Sequence, residues 1–263
     1  MINRLFGCWL WGSLLTSSLT AAPILYGITF DEELIRINTT TGAGTLVGNL
    51  SSTMASFGLG TRNNELYTFD QTADLIRQLS PTTAATLNSF NVGITTVGEG
   101  GLAFRSDGLG FLSQGGGGGF WSFSLSTLTS SLITSVQAPT MDGLDFSPTD
   151  VLYGLSQETY NLYTINVATG ATTLIGATGL TAATGFGGLA FRGDGVLFAI
   201  QGLDLYTINT ATGVATLIGN SGFDKISGLT FLDVEASSVP EPGSAMLLVC
   251  GAALLLVIGK RKF

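Results

Sequence analysis

Acid–base and metal chemistry in proteins draws mainly on histidine, cysteine and clustered carboxylates. This chain has no histidine, and its two cysteines, Cys8 and Cys250, lie near the two ends. The region between them therefore lacks the commonest general base, the imidazole and thiolate metal ligands and any thiol nucleophile. What remains is carboxylate. Glu99 and Asp142 each stand just ahead of a Gly-Leu segment that recurs through the chain, so the two acids hold corresponding places. A calcium ion takes roughly six to eight oxygens, and two carboxylates supply too few of them. Glu99 and Asp142 are accordingly read as polar lining, and the single acids of Asp107-Gly108 and Asp194-Gly195 as hairpin turns. Arg105 and Arg192, each two residues ahead of one of those acids, are read as partners in turn salt bridges. No metal and no cofactor is expected. Trp121 follows a run of five glycines, Gly115 to Gly119, and is open to two readings: an aromatic buried in its strand, or a ring beside a mobile lip that stacks on a ligand.

The elements that position these residues repeat. Gly143-Leu144-Asp145-Phe146 recurs as Gly101-Leu102-Ala103-Phe104, Gly188-Leu189-Ala190-Phe191, Gly228-Leu229-Thr230-Phe231 and, in outline, Gly58-Leu59. Successive leucines are 43, 42, 45 and 40 residues apart, the period of a four-stranded propeller blade. Within a period, alternating apolar and polar residues mark three more short strands, as in Leu152-Tyr153, Leu162 to Asn166 and Thr173 to Gly176. Asn-x-x-Thr-Gly at Asn38, Asn166 and Asn209 supplies the glycine that a turn between two hairpin strands needs. A β-sandwich has no reason to repeat at so constant a spacing.

The first period lacks its Gly-Leu strand, since Ile24 to Ile28 already matches a second strand, whereas Gly228 to Phe231 is a first strand with nothing after it. The two fit together. The fold expected is all-β: a five-bladed β-propeller over residues 23–235, closed by a C-terminal strand completing the N-terminal blade so that no sheet edge is left open. The glycine before each leucine lets backbone approach backbone near the crowded axis, and Leu102 and Phe104 should fill the space between blades. Tyr153, Tyr163, Phe198 and Tyr206 are read the same way.

The ends are of another kind. Residues 1–22 carry one basic residue, Arg4, then an apolar stretch and small residues at Thr20-Ala21-Ala22, the layout of a secretory signal peptide. Residues 236–243 form a linker holding Pro240, Glu241 and Pro242, stiff and helix-free. Residues 244–263 read as a transmembrane helix with a basic tail: Gly243 to Gly259 is uncharged and about 25 Å long as a helix, and Lys260, Arg261 and Lys262 follow as a membrane stop. Basic residues stay on the cytoplasmic side, which places the main body across the inner membrane.

Between residues 23 and 238 there are six basic and 17 acidic side chains, a net charge of −11. Such a surface repels phosphate backbones and anionic membrane surfaces, and nucleic acid is not an expected partner. The tail as a whole resembles the PEP-CTERM sorting signal of Gram-negative bacteria. That resemblance covers about residues 238–263 and carries over Pro240, Glu241 and Pro242 as a recognition motif for exosortase, a membrane protease. It implies a membrane-anchored precursor, a mature form at the cell surface or in the extracellular matrix, and an association with exopolysaccharide or biofilm. The function expected is that of a non-catalytic binding or structural module whose partner is exopolysaccharide or another envelope protein. The alternative is a metal-assisted propeller enzyme of lactonase or lyase type, with Glu99 and Asp142 at the central channel.

Overall fold

Five Gly-Leu segments become five four-stranded sheets. The computed structural model describes residues 22–50, 56–95, 98, 100–115, 119–135, 139–181 and 187–233. Glu99, the middle of the glycine run, the leader through residue 21, Pro240 to Pro242, the apolar run and Lys260 to Lys262 lie outside the described residues. The first blade holds β1 (Ile24–Thr29), β2 (Glu33–Ile37) and β3 (Gly44–Asn49). The second is β4 (Ser56–Arg62), β5 (Glu65–Asp70), β6 (Leu75–Leu79) and β7 (Thr86–Phe90). The third is β8 (Leu102–Phe104), β9 (Gly110–Ser113), β10 (Phe120–Ser124) and β11 (Thr129–Thr134). The fourth is β12 (Met141–Phe146), β13 (Leu152–Ser156), β14 (Asn161–Ile165) and β15 (Thr172–Ala177). The fifth is β16 (Gly187–Phe191), β17 (Leu197–Gln201), β18 (Asp204–Ile208) and β19 (Ala215–Asn220), and β20 (Ile226–Leu232) ends the series.

Strand β20 completes the first sheet, whose order is β20-β1-β2-β3. It runs antiparallel to β1 with Leu25 opposite Phe231 and Gly27 opposite Leu229. The shared blade read from the unmatched strands at the two ends is thus present. Its side chains join what lies on either side: Ile226 and Leu229 share one apolar cluster with Leu25 and Ile35 of the first blade and Phe198 and Ile200 of the fifth.

Innermost strands meet through glycine. A methyl group on Gly143 would lie 2.8 Å from the Leu189 amide nitrogen, and one on Gly188 would lie 2.8 Å from that of Leu229. Gly101 stands against Leu144 in the same way, Gly58 against Leu102, and Gly228 against Leu59, which closes the circuit. Backbone packs on backbone at five places around the axis, and any Cβ there intrudes. Between blades the packing is apolar: Leu102 and Phe104 sit with Phe57, Tyr67 and Phe123, as expected for inter-blade filling. Burial falls with distance from the axis. β17 is buried at every residue, whereas β15 and β19 have no buried residue and only three partly buried ones each. Leu46, Leu87, Leu132, Leu174 and Leu217 all stand exposed on the outermost strands.

One expectation needs correction, because closing the ring does not remove every sheet edge. Each blade keeps an outer edge on its fourth strand, and in all five the pairing of third and fourth strands slips by one residue. Such bulges twist the edge and spoil it as a template for another chain. Gly48, Gly176 and Gly219 have a use that their sequence context does not announce. The turn of the following blade presses its carbonyl at Thr83, Thr212 or Thr41 onto them.

Those turns obey one design. Asn38, Asn166 and Asn209 accept amides two and three residues on, and Gly42, Gly170 and Gly213 follow with φ of +79°, +73° and +82°. In the third blade Ser124 replaces the Asn, and Leu128 occupies the glycine place with φ of 56° while 51% exposed. A leucine there carries left-handed backbone strain without burial to offset it. Leu128→Gly should therefore stabilise the domain by about 1 kcal/mol, raising Tm by roughly 2–4 °C in a melt followed by circular dichroism.

Candidate functional site

The first strands begin, and the second strands end, at the same face of the ring, since Met141 pairs with Ser156 and Gly187 with Gln201. Asp142 belongs to this face. It is 7% exposed, at the point where the β12–β13 register slips between Met141 and Gly143, and its carbonyl stands against Gly101 of the third blade. Beside it Thr140 is held by Glu158, whose Oε1 accepts both the Thr140 hydroxyl at 2.7 Å and its amide at 3.2 Å. Glu99 lies outside the described residues, so its distance from Asp142 is not defined. Among the described residues no three His, Cys, Asp or Glu side chains gather as a metal ion requires. Trp121 lies on β10 opposite Leu112 and Leu132, half-buried against the cluster that contains Phe57, Tyr67 and Phe123. Its neighbour Phe120 is fully buried, stacked on Phe111 with ring centroids 5.8 Å apart. The Arg105–Asp107 and Arg192–Asp194 pairs close at 2.6 and 2.8 Å within their turns, as their spacing implies.

The polar machinery of this face is a quintet that the repeat brings into register. In each blade the leucine of the first strand pairs with Gly27, Thr68, Leu112, Gly154 or Ala199. Two residues further on stand Thr29, Asp70, Gln114, Ser156 and Gln201, all buried. Four of them order the hairpin that follows. Thr29 accepts the Glu33 amide, and Asp70 accepts the amides of Thr72 and Ala73 while its other oxygen takes Arg77 at 2.8 Å. Gln114 accepts the Gly119 amide and donates to the Thr95 carbonyl, and Ser156 accepts the amides of Glu158 and Thr159.

Gln201 differs because its hairpin is only Gly202-Leu203, with Gln201 paired directly to Asp204. So tight a turn, with Gly202 at φ of 59°, offers no amide to cap. Gln201 as a residue is 93% buried, and its Nε2 is without an acceptor among the described residues. The short hairpin also leaves uncovered a cleft of about 410 Å³ between the fourth and fifth blades, lined by Gln201, Asp204, Tyr206, Asn220, Asp224 and the segment Thr178 to Thr181. Asn220 donates to Asp204 at 3.0 Å and accepts the Gly222 amide at 2.9 Å, which fixes both side chains. Burial, then the charge of Asp204, pushes the Tyr206 hydroxyl above its ordinary pKa, so it stays a neutral donor. Tyr206 is thus cleft wall, where the sequence suggested inter-blade filling. Tyr163 and Phe198 do fill the space between blades. The signal for Gln201 lay in the two-residue spacing between Gln201 and Asp204, legible only once the other four hairpins are known to be longer.

Asp145 is a second residue that sequence reasoning passed over. At its place in the first strands the third, fifth and first blades have Ala103, Ala190 and Thr230. Its carboxylate spans two blades, accepting the Phe191 amide at 2.7 Å and the Phe146 amide at 2.9 Å. Burial raises its pKa to about 7 against the opposing pull of those two amides. The native state therefore binds this proton more tightly than the unfolded chain does. The associated stability is complete below about pH 4 and is lost as pH rises to 7, by a few kcal/mol at most. Tm should fall between pH 5 and pH 8, and the slope should flatten in Asp145→Ala; an unchanged slope would assign the dependence to other groups.

No protein-family model matches the chain, and no curated protein matches it. Among solved structures, one from the nidogen/laminin complex is 10% identical and superposes with a TM-score of 0.53 over 81% of this chain and 98% of that one. A gluconolactonase of Xanthomonas campestris is 12% identical, with a TM-score of 0.52 over 79% of each chain. A virginiamycin B lyase of Staphylococcus aureus is 9% identical, with a TM-score of 0.45 over 73% of this chain and 68% of that one. At such identities the first two establish the fold alone: the chain is a five-bladed all-β propeller.

Proposed function

We propose that this protein is an exported, exosortase-processed propeller of the cell envelope or extracellular matrix that binds a hydroxyl-rich polymer without transforming it. The observation that carries the binding reading is the use of the polar quintet: four members are consumed in ordering hairpins, and the fifth borders an open, hydrogen-bonding cleft. Such a place suits a ligand held by hydrogen bonds, and its lining includes no histidine, cysteine or lysine. Export and processing rest on the two chain ends, with Pro240, Glu241 and Pro242 as the recognition motif and Lys260, Arg261 and Lys262 as the membrane stop. Mass spectrometry of the mature C-terminus, in cells with and without exosortase, tests that half; an intact tail in both would end it.

A second reading has a specific observation in its favour, since a gluconolactonase shares this fold at a TM-score of 0.52 and Asp142 sits buried on the mouth face. In that reading Asp142, with Glu99, would hold a divalent cation that activates water. Calorimetry with Ca²⁺ and Mg²⁺ separates the two. The binding module gives no heat, and a saturable isotherm abolished by Asp142→Asn would establish the cation site that the second reading requires.

A further inference from the structure

The cleft between the fourth and fifth blades has features that go beyond a surface depression. A buried amide donor without an acceptor is uncommon in a folded protein, because its hydration is lost and nothing replaces it. Here the fold does not require it. The equivalent place in the fourth blade is filled by Ser156, whose hydroxyl accepts two amides of its hairpin, and a two-residue hairpin needs no side chain at all to cap it. Gln201 is the one member of its quintet with a buried side-chain atom that has no hydrogen-bond partner among the described residues, and it lines the cleft of about 410 Å³ on the mouth face.

The rest of the lining specifies what meets that donor. Asp204, Asp224 and Asn220 supply acceptors for hydroxyl protons, while Tyr206 and Leu203 supply apolar surface for a C–H face. No lysine or arginine lines the cleft, and the nearest in sequence, Lys225, is engaged with Asp31 at 3.1 Å. A carboxylate or phosphate on the ligand would meet two acids and no cation. We infer that this cleft binds a neutral oligosaccharide, with the Gln201 carboxamide donating to a ring or hydroxyl oxygen and Asp204 and Asp224 excluding acidic sugars. This inference rests on the binding reading above and adds to it a place, a selecting residue and a ligand class.

The test applies the purified full chain to an array of neutral hexose and N-acetylhexosamine oligomers together with uronic-acid oligomers, with calorimetry on the best binder. Neutral members should bind and uronic-acid members should not. Gln201→Met should weaken neutral binding about tenfold or more with Tm unchanged, since a site built around a hydrogen bond discriminates strongly when one partner is lost. Asp204→Asn keeps the acceptor for Asn220 but loses the charge, and should narrow the gap between neutral and acidic oligomers by at least about threefold, roughly the weight of one exposed charge pair. Neutral binding that survives Gln201→Met places the site elsewhere and overturns the inference while the wider binding reading stands. A preference for uronic acids, or an Asp204→Asn variant with an unaltered ratio, overturns it as well. Silence across the whole array overturns both readings.

Discussion

A chain lacking Ile226–Leu232 is expected to lose its cooperative melt altogether. β20 is the only element that is first in its sheet and last in the described chain, and it belongs to two blades' packing at once. Its removal exposes the whole hydrogen-bonding edge of β1, six residues long. It also withdraws Ile226, Leu229 and Leu232, which are 1%, 1% and 7% exposed. At about 1.5–3 kcal/mol for each buried aliphatic side chain, roughly 5–9 kcal/mol of apolar burial goes with it. Domains are stable by only about 5–15 kcal/mol, so the remainder has little left to hold it. Lost with them is the Thr61–Thr230 hydroxyl contact at 2.9 Å, which ties the completed first blade to the second. Circular dichroism melts of the deletion and the full chain decide the matter; a sharp transition within about 3 °C of the full chain, under 2 kcal/mol on the usual scaling, would mean that the shared blade is not the clasp.

Gly143→Ala is expected to cost about 3 kcal/mol or more, and Gly188→Ala the same. The added methyl would sit 2.8 Å from a backbone nitrogen of the next blade in each variant. Overpacking in a core usually costs about 1–3 kcal/mol because side chains rotate aside. Here the obstruction is main chain in a closed ring, and it can move only if the neighbouring innermost strands move together. Tm should fall by roughly 6–12 °C. Gly193→Ala is the matched control, in the turn after β16 with nothing within 4 Å of the new methyl, and it should change Tm by less than about 1 °C. Equal losses at 143 and 193 would remove the steric argument and leave only a general cost of replacing glycine.

The two expectations that the structure altered have a common origin. Tyr206 was grouped with Tyr163 and Phe198 because all three occupy apolar positions of second or third strands, and strand periodicity reports which face a side chain takes. It does not report whether the neighbouring blade covers that face. Over Tyr206 the cover is missing because the Gly202-Leu203 hairpin is short. The open-edge expectation failed similarly, since a strand's place at the rim is a property of the ring, and the bulges that guard the rim leave no mark in residue type. Asp145 was visible in the sequence as an acid among alanines and threonine, but its bridging of two blades depends on the Phe191 amide 46 residues away.

From the sequence alone came the number of blades, their strand order and the joining of β20 to β1, because each blade is written locally in period-two strands and turn residues, and the repeat spacing counts them. The scarcity of catalytic residue types was legible for the same reason, being a matter of inventory. Only the tertiary structure decided where polar groups are spent and where they are spare. Whether Thr29, Asp70, Gln114, Ser156 or Gln201 finds a partner depends on hairpin length and on the wall presented by the next blade, and hydrogen bonding across such distances is set by the closed ring rather than by any one segment of chain.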